Sequence, residues 1–226
     1  MKLISLLEKL EYTCLQGSTD QEVKNVIYDS RKVEEGSLFI CIRGAVVDGH
    51  KFVPDVVAKG AKVLIVEEAV EVPEDVTVIL VKDTRYAMAF ISAAYFGYPA
   101  EKLKTIGITG TKGTTTTTYM VKSILENAGY KVGLIGTIEA IIGDKVIPAK
   151  NTTPESYVMQ EYFHERAEAG CDCVVMEVSS QGLMLHRTQG FVFDFGIFTN
   201  IEPDHIGPNE HKDFDDYLRC KSLLLK

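Results

Sequence analysis

The sequence lacks an excess of basic residues. Its 24 lysines and arginines stand against 32 aspartates and glutamates, and the net charge is −8. Binding to nucleic acid or to an anionic membrane requires positive charge that neutralises phosphates, so this balance argues against both partners. The sequence also lacks an apolar run of membrane-spanning length. Residues 1–9 carry charges too early for the core of a signal peptide, and they predict a short amphipathic helix.

Cysteine is scarce and scattered. The five cysteines are odd in number, and Cys171 and Cys173 have the wrong spacing for a zinc knuckle or a thioredoxin motif. We therefore expect buried thiols in a cytoplasmic protein. The hydrophobic and charged fractions, 46% and 25%, are close to those of an average soluble globular protein.

The 226 residues are enough for one large or two ordinary domains, and two α/β blocks are visible. Residues 97–100 break the pattern, so we predict domains at 1–99 and 100–226. In the first block we predict strands at 23–28, 37–42, 63–66 and 77–81, and helices at 52–59 and 85–96. In the second we predict strands at 103–108, 131–135, 173–178 and 193–199, and helices at 115–128, 155–169 and 215–226. This alternation predicts mostly parallel sheets with crossover helices.

The last predicted helix reaches the final residue without a cap. We therefore expect the chain to be a fragment of a longer protein.

The glycine loop, residues 107–113, is the most informative segment. A β-like run leads into it, and a helical pattern begins near Thr115. The order of strand, glycine turn and helix N-terminus directs backbone N–H groups at phosphate oxygens. The usual motif ends in Gly-Lys-Ser/Thr, but here Thr114 follows Gly113 and takes the place of the lysine. From the loop alone, nucleotide binding and a simple tight turn stay equally open.

Three further polar segments follow predicted strands or precede a predicted helix: 151–154, 176–181 and 199–205. Parallel sheets bind ligands at the carboxyl ends of their strands. A carboxylate at such a strand end, as at Glu177, is placed to hold Mg²⁺ against phosphates. The recurrence of polar segments in this order favours a nucleotide and metal site.

Each of these residues also has a simpler interpretation. Glu177 is equally suited to cap the helix after it, and Thr152 or Thr153 to cap the helix from residue 155. His205 alone is typical of a surface or hydrogen-bonded histidine. A lysine on a predicted helix, such as Lys221, is by default a solvated charge, and the threonine run 114–118 suggests a helical turn satisfied by hydroxyl caps.

Taken together, the motifs resemble those of the Mur ligases of peptidoglycan synthesis, and most closely those of MurE-type members. The second block carries the resemblance in residues 107–117, 151–154, 176–180, 198–200 and 204–205, and the first block in residues 28–40 and 44–52. The resemblance implies a bacterial cytoplasmic enzyme of three α/β domains. The first binds a UDP-sugar, the central one binds ATP, and the third binds the incoming amino acid. This chain would hold the first domain and a truncated central domain with a mostly parallel sheet.

The resemblance also implies a reaction, namely ATP-dependent amide formation. The enzyme would add a diamino acid, meso-diaminopimelate or L-lysine, to UDP-MurNAc-L-Ala-D-Glu through an acyl phosphate. Its cofactors would be ATP and Mg²⁺, and catalysis would rest on positioning and charge neutralisation. Neither nucleic acid nor membrane is expected as a partner, and the oligomeric state stays open.

Site residues follow from the same resemblance. The phosphates of ATP would contact Gly110, Thr111, Lys112, Gly113, Thr114, Thr115 and Thr116. The metal ligands would be Thr115, Glu177, His205 and Lys221, of which the last three are the expected catalytic residues and Lys221 would be carbamylated. The sugar and peptide would contact Thr152, Thr153, Ser179 and Arg187, and the uridine or diphosphate would contact Ser30, Asp48, Gly49 and His50.

The sequence departs from the family pattern at Thr114, which carries no charge where the family has a phosphate-binding lysine. We expect Lys112 to point elsewhere, so it does not substitute. Gln181 stands where many members of the family have histidine, and Leu185 stands where some have a polar residue near the substrate. With the third domain missing as well, we predict an inactive chain. Two alternatives stay open: a non-catalytic Mur-like protein that binds a precursor or nucleotide, and a ligase of the folylpolyglutamate synthase or cyanophycin synthetase type, against which the first block argues.

Overall fold

A computed structural model describes residues 1–208 and 210–226, which form two compact units, Met1–Tyr95 and Phe96–Lys226. Phe96 belongs to the second unit because its ring packs against the rings of Tyr157 and His164, with centroids 5.2 and 5.8 Å apart. The predicted division into domains at residue 99 stays a prediction, and so does the ligand that each domain is expected to bind. Among the described residues, no helix is both long enough and apolar enough to cross a bilayer.

The first unit is a five-stranded sheet with short helices. Its strands are β1 (Thr13–Gln16), β2 (Val26–Ile27), β3 (Leu38–Ile40), β4 (Val63–Val66) and β5 (Thr77–Leu80), and its α-helices are α1 (Leu3–Leu6), α2 (Val53–Ala58) and α3 (Thr84–Tyr95). The strand order is β1-β5-β4-β3-β2, and only β1 is antiparallel to its neighbour.

Burial explains which strands of this unit were predictable. All residues of β3 and β4 are buried, as a continuous apolar run in a parallel sheet requires. Strand β2 covers only two residues of the predicted 23–28. Strand β1 was not predicted because it is an exposed edge strand with no apolar alternation.

The second unit contains a six-stranded sheet. Its strands are β6 (Lys104–Thr109), β7 (Val132–Ile135), β8 (Glu139–Ile142), β9 (Lys145–Pro148), β10 (Cys173–Glu177) and β11 (Phe195–Phe198), and its α-helices are α4 (Thr114–Asn127), α5 (Ser156–Glu168), α6 (Ser180–Met184) and α7 (Phe214–Ser222). The order is β11-β6-β10-β7-β8-β9, with the first four strands parallel. The predicted α/β fold with mostly parallel sheets is confirmed in both units.

The hairpin of β8 and β9 was missed, although the sequence carries a signal for it. Gly143 and Asp144 join the two strands, and Gly143 has a φ of 55°. A Gly-Asp pair between short apolar runs is typical of a tight hairpin turn. The helix predicted at 215–226 is also shorter, because α7 ends at Ser222 and a 3₁₀ turn, Leu223–Leu225, follows.

The carboxyl ends of β6, β7, β10 and β11 lie side by side at one edge of the second sheet. The apolar residues of these strands pack against α4 on one face of the sheet and against α5 on the other, and this packing fixes the position of the edge. Loops that are far apart in the sequence therefore meet at a single rim, which is where a parallel sheet binds its ligand.

A fully buried arginine, Arg166, holds α5 against this sheet. Its guanidinium donates hydrogen bonds to the carbonyl oxygens of Tyr162 and Leu134. Burial lowers the pKa of Arg166 to about 10. The side chain fits only because Gly133 on β7 has no Cβ: an added Cβ would lie 2.5 Å from Cδ and Nε of Arg166.

We expect Gly133→Ala to lower the free energy of unfolding by about 1–3 kcal/mol, because the added Cβ would overlap the side chain of the fully buried Arg166. Urea denaturation of the whole chain measures this. The matched control is Gly207→Ala, whose Cβ would meet, among the residues that the structure describes, only Glu210 Oε2, at 3.6 Å. The control should change stability by less than about 0.5 kcal/mol. Equal losses in the two variants would contradict the packing argument.

Candidate functional site

A polar cavity of about 520 Å³ opens at the carboxyl edge of the second sheet. It brings together residues from the glycine loop and from the segments after β7, β10 and β11. Its lining consists of Gly110, Thr111, Thr114, Thr115, Thr137, Lys150, Asn151, Thr152, Thr153, Glu177, Val178, Ser179, Ser180, Gln181, Arg187, His205, Glu210 and Lys221. Eighteen of the described residues, from seven segments of the chain, thus share one site, as Brändén's rule for parallel sheets predicts.

The glycine loop turns directly into α4. Gly113 is the N-cap residue with a φ of 77°, a left-handed conformation that glycine adopts without strain, and Thr114 is the first helical residue. The N–H groups of Thr111 and Lys112 both donate to Asn200 Oδ1, each at 3.0 Å. An anion at this helix end would therefore meet the N–H groups of the first turn of α4, together with the positive end of the helix dipole.

The threonine run behaves differently from the hydroxyl caps that we predicted. Thr117 Oγ1 donates to the Gly113 carbonyl at 2.8 Å, and Thr118 Oγ1 donates to the Thr114 carbonyl at 2.8 Å. These hydroxyls bond backward to carbonyl oxygens, four residues earlier, and leave the N–H groups of the first turn available.

Glu177 is the centre of the cavity. Its side chain is buried at the end of β10, with 2% of the residue exposed. Oε2 accepts hydrogen bonds from the hydroxyls of Thr114 (3.1 Å), Thr115 (2.9 Å) and Thr137 (3.0 Å), and Oε1 accepts one from the N–H of Thr137 (2.9 Å). The simpler interpretation, in which Glu177 caps α6, is wrong. The cap is Ser179, whose hydroxyl accepts from the N–H of Gly182.

The donor set around Glu177 fits a magnesium ion. A carboxylate and the hydroxyl of Thr115 are hard oxygen ligands, which Mg²⁺ prefers. Within the described residues, the bonds to Glu177 come from hydroxyls and a backbone N–H, and its negative charge is not paired with a cationic side chain. A buried carboxylate without such a pair is a group that a divalent cation would stabilise.

Thr137 is a functional candidate that the sequence analysis missed. Besides its two bonds to Glu177, its hydroxyl lies 3.1 Å from Thr152 Oγ1. It therefore joins the carboxylate to the loop that was predicted to contact substrate. The available signal was its position, two residues after the parallel strand β7, where the same rule of strand ends applies.

Lys221 lies on α7 and is almost fully buried. Its Nζ donates to the Gly110 carbonyl at 2.7 Å and to Thr109 Oγ1 at 3.3 Å, and it lies 5.0 Å from the centre of the Tyr217 ring. Burial lowers the pKa of Lys221 to about 8, against a smaller opposing effect of Asp204. As an ammonium it donates hydrogen bonds and repels a metal, so it fits as a metal ligand only after carbamylation.

His205 is exposed at the rim of the cavity. It has a φ of 53°, and its Nδ1 lies 3.4 Å from Glu210 Oε1. The ring contacts solvent and lines the cavity, which leaves the role of a second metal ligand a prediction.

Two of the predicted substrate residues in this unit, Thr153 and Arg187, form hydrogen bonds within the protein. Thr153 has no exposed surface: its hydroxyl donates to the Glu177 carbonyl (3.1 Å) and accepts from the Ser179 N–H (2.9 Å). Thr153 therefore holds the loop in place, and its contact with substrate stays a prediction. The alternative role of Thr153 as an N-cap is wrong, since Glu155 is the N-cap residue of α5. Arg187 donates to the Thr153 carbonyl and pairs with Glu155 at 2.7 Å.

Three of the predicted phosphate contacts, Lys112, Gly113 and Thr116, do not line the cavity. The Lys112 ammonium is exposed and pairs with Glu202, in line with our expectation that it does not replace the missing lysine. The backbone of Gly113 still shapes the loop.

The predicted uridine residues all lie in the first unit. Asp48 caps a 3₁₀ turn, and its Oδ1 accepts from the N–H and from Nδ1 of His50, at 3.0 and 2.7 Å. Nε2 of His50 in turn accepts from the N–H of Glu67, so both ring nitrogens are occupied and the proton is on Nδ1. Gly49 is buried, and Ser30 accepts a bond from Lys59 at its carbonyl. Contact of these residues with a uridine diphosphate stays a prediction.

Two families match the sequence. The Mur ligase middle domain matches residues 108–226, and the Mur ligase family catalytic domain matches residues 22–96. The UDP-N-acetylmuramoyl-L-alanyl-D-glutamate–2,6-diaminopimelate ligases of Clostridium perfringens and Cytophaga hutchinsonii are 50% and 40% identical over 226 residues. The match covers 100% and 99% of this chain but 46% of each relative, so the chain spans about half the length of these relatives.

Solved structures share the fold. A structure of a ligase with the same name has a TM-score of 0.81 at 23% identity, over 99% of this chain and 44% of the other. MurF ligase from Thermotoga maritima in complex with ADP has a TM-score of 0.60 at 19% identity, over 90% of this chain and 43% of the other.

We expect Thr137→Val to lower the free energy of unfolding by about 1–3 kcal/mol, because a buried carboxylate loses a hydroxyl donor. Thr137→Ser keeps the donor and should lose less. Thr117→Val is the matched control, since its bond to the Gly113 carbonyl is exposed, and it should cost under about 0.5 kcal/mol. Chemical denaturation measures all three. A Thr137→Val value no larger than that of the control would refute the role assigned to this hydroxyl.

Proposed function

Since this chain belongs to the Mur ligase family, we propose that it carries the nucleotide and UDP-precursor sites of an ATP-dependent amide ligase. The substrate would be UDP-MurNAc-L-Ala-D-Glu, and the added diamino acid would be 2,6-diaminopimelate, as in the names of the relatives that are 40–50% identical. A cytoplasmic place of action is part of the same proposal.

One observation carries this proposal: Glu177 and Thr115 lie together at the N-terminus of α4, in one cavity with Lys221 and Ser179. A helix N-terminus attracts phosphate, and the adjacent oxygen ligands suit Mg²⁺. Support for a nucleotide also comes from the neighbouring fold of MurF, whose structure contains ADP. A cavity of about 520 Å³ is within the usual range for ligand sites.

The proposed roles of the residues follow from charge. The N–H groups of the first turn of α4 would bind phosphate oxygens, and Glu177 with Thr115 would hold Mg²⁺, which would supply positive charge against the phosphates. Thr137 keeps the carboxylate of Glu177 aimed at the helix end. Carbamylated Lys221 would present an anionic oxygen where the unmodified amine presents a cation. Thr152, Ser179 and Arg187 orient the precursor.

Thr114 weakens this site in two ways. It supplies no positive charge for the phosphates, and its hydroxyl donates to the same oxygen of Glu177 that Thr115 uses. A lost charge contact of this kind typically costs about two to three orders of magnitude in rate. We therefore propose that the chain as it stands binds its precursor but does not turn over ATP. The same feature favours a second candidate, a non-catalytic Mur-like protein that binds a precursor.

Calorimetric titration tests these proposals. We expect the chain to bind UDP-MurNAc-L-Ala-D-Glu, and Thr114→Lys to tighten Mg²⁺–ATP binding about 10- to 100-fold, the value of a hydrogen bond to a charged group. Ser123→Lys is the control, because it adds the same charge on the exposed part of α4. If both variants bind Mg²⁺–ATP more tightly by the same factor, the added net charge alone explains the effect. An unchanged Kd in Thr114→Lys would favour the non-catalytic candidate, and amide formation by the unaltered chain would refute inactivity.

Lys221 should react with carbon dioxide near neutral pH. With a pKa of about 8, roughly half of the amine is neutral at pH 8, whereas an ordinary lysine of pKa about 10.4 is less than about 1% neutral. Only the neutral amine attacks carbon dioxide, so a carbamate should increase as pH rises toward 8. A ¹³C NMR signal from labelled bicarbonate should appear in the unaltered chain and in Lys150→Arg, and should be absent from Lys221→Arg. A signal that persists in Lys221→Arg would place the carbamate elsewhere.

A further inference from the structure

His211, a residue that the sequence analysis did not single out, is fully buried in the second unit. Its Nε2 lies 2.8 Å from Ser180 Oγ, and its Nδ1 lies 3.2 Å from Asp216 Oδ2. Ser180 is the first residue of α6, and Asp216 lies in the first turn of α7. One imidazole ring therefore joins two helices through hydrogen bonds at both nitrogens. We name this set, Ser180, His211 and Asp216, the His211 clamp.

The main chain of His211 closes the loop that carries His205. The His211 N–H donates to the His205 carbonyl at 3.0 Å, and the His211 carbonyl accepts from the Gly207 N–H at 3.1 Å. His205 has a φ of 53°, in the left-handed region. A non-glycine residue keeps this conformation where its surroundings fix it, and His211 supplies those bonds.

The two helices joined by the His211 clamp both carry residues of the polar cavity. Ser179 is the N-cap of α6, next to Ser180, and Lys221 follows Asp216 by five residues on α7. Ser179, Ser180, His205 and Lys221 all line the cavity. A shift of either helix would therefore move the predicted precursor contacts relative to the glycine loop.

The order of atoms in the His211 clamp matches that of a nucleophilic Ser-His-Asp triad, but the surroundings do not. Nucleophilic serines of α/β enzymes lie on a strained turn between strand and helix. Ser180 is already helical and is 5% exposed, and His211 has no exposed surface from which to exchange a proton with a ligand.

A metal centre is also disfavoured at this position. Ligand atoms of His211, Asp216 and Cys220 lie within 4.8 Å of one another. However, the Arg219 guanidinium donates to Asp216 Oδ1 at 2.6 Å and to Cys220 Sγ at 3.3 Å. A cation would have to displace this positive charge and compete with the bond from His211 to the carboxylate.

We propose that His211 is a positioning residue of the polar cavity. Its ring fixes α6 against α7, and its main chain fixes His205, so that Ser179, His205 and Lys221 face one ligand. The identity of that ligand rests on the proposed function, whereas the coupling between the helices does not.

A double-mutant cycle tests the coupling. Ser180→Ala, Asp216→Asn and their combination are titrated with UDP-MurNAc-L-Ala-D-Glu, with His211 intact and with His211→Asn. With His211 intact, we expect each single change to raise Kd about 3- to 10-fold, the value of one hydrogen bond, and the pair to raise it by less than the product. With His211→Asn, the double change should raise Kd by the product of the two single effects, because the histidine ring no longer couples Ser180 to Asp216. His164→Asn, on α5 beside Phe96, is the control and should leave Kd unchanged.

Amide hydrogen exchange of the ligand-free chain provides a second readout. We expect Ser180→Ala to speed amide exchange at residues 205–207 and in α7 at least about 5-fold while β10 is unaffected. If the unaltered chain binds no UDP-precursor, the proposed function fails and exchange alone decides the clamp. If His211→Asn does not fold, the cycle measured with His211 intact is sufficient to test the coupling between Ser180 and Asp216. Unchanged exchange would overturn the proposal. So would a double change that, with His211 present, raises Kd by the full product of the two single effects. Labelling of Ser180 by a fluorophosphonate would also overturn it, because it would show a nucleophilic serine.

Discussion

The buried carboxylate of Glu177 is the constraint on which the site depends. A negative charge with 2% exposure is tolerated only where donors surround it, and Thr114, Thr115 and Thr137 supply them. These hydroxyls come from the start of α4 and from the end of β7, so satisfying one charge fixes the helix end against the sheet. The shape of the cavity thus depends on the hydrogen bonds to the Glu177 carboxylate as well as on apolar packing.

Much of the fold could be predicted because it depends on local patterns. The apolar run of β4, Val63–Val66, is buried throughout, and its extent was predicted without error. The edge strand β1 pairs with β5 over sixty residues away and has no apolar period of its own, so no local rule identifies it. The hairpin of β8 and β9 had a local signal, the Gly-Asp pair, that went unused.

The site was predictable only to the extent that its residues occupy strand ends. Glu177 follows a buried strand, and its position could be inferred from that alone. Thr137 also follows a strand end, so its position was available but its bonds to Glu177, 40 residues away, were not. His211 could not be inferred, because Ser180 lies 31 residues away and His211 belongs to no strand-end pattern. Thr153 shows the reverse: its type and place indicated a ligand contact, whereas its hydroxyl bonds the main chain of Glu177 and Ser179.

The Asn200 side chain has a wider consequence. Its amide accepts from the N–H groups of Thr111 and Lys112 and donates to the Lys112 carbonyl at 2.8 Å, so the end of β11 holds the glycine loop from outside. The glycine loop therefore needs no charged residue at position 114 to keep its form, because its bonds to Asn200 come from the main chain of Thr111 and Lys112. A requirement for folding alone does not distinguish lysine from threonine there, whereas a requirement for phosphoryl transfer does.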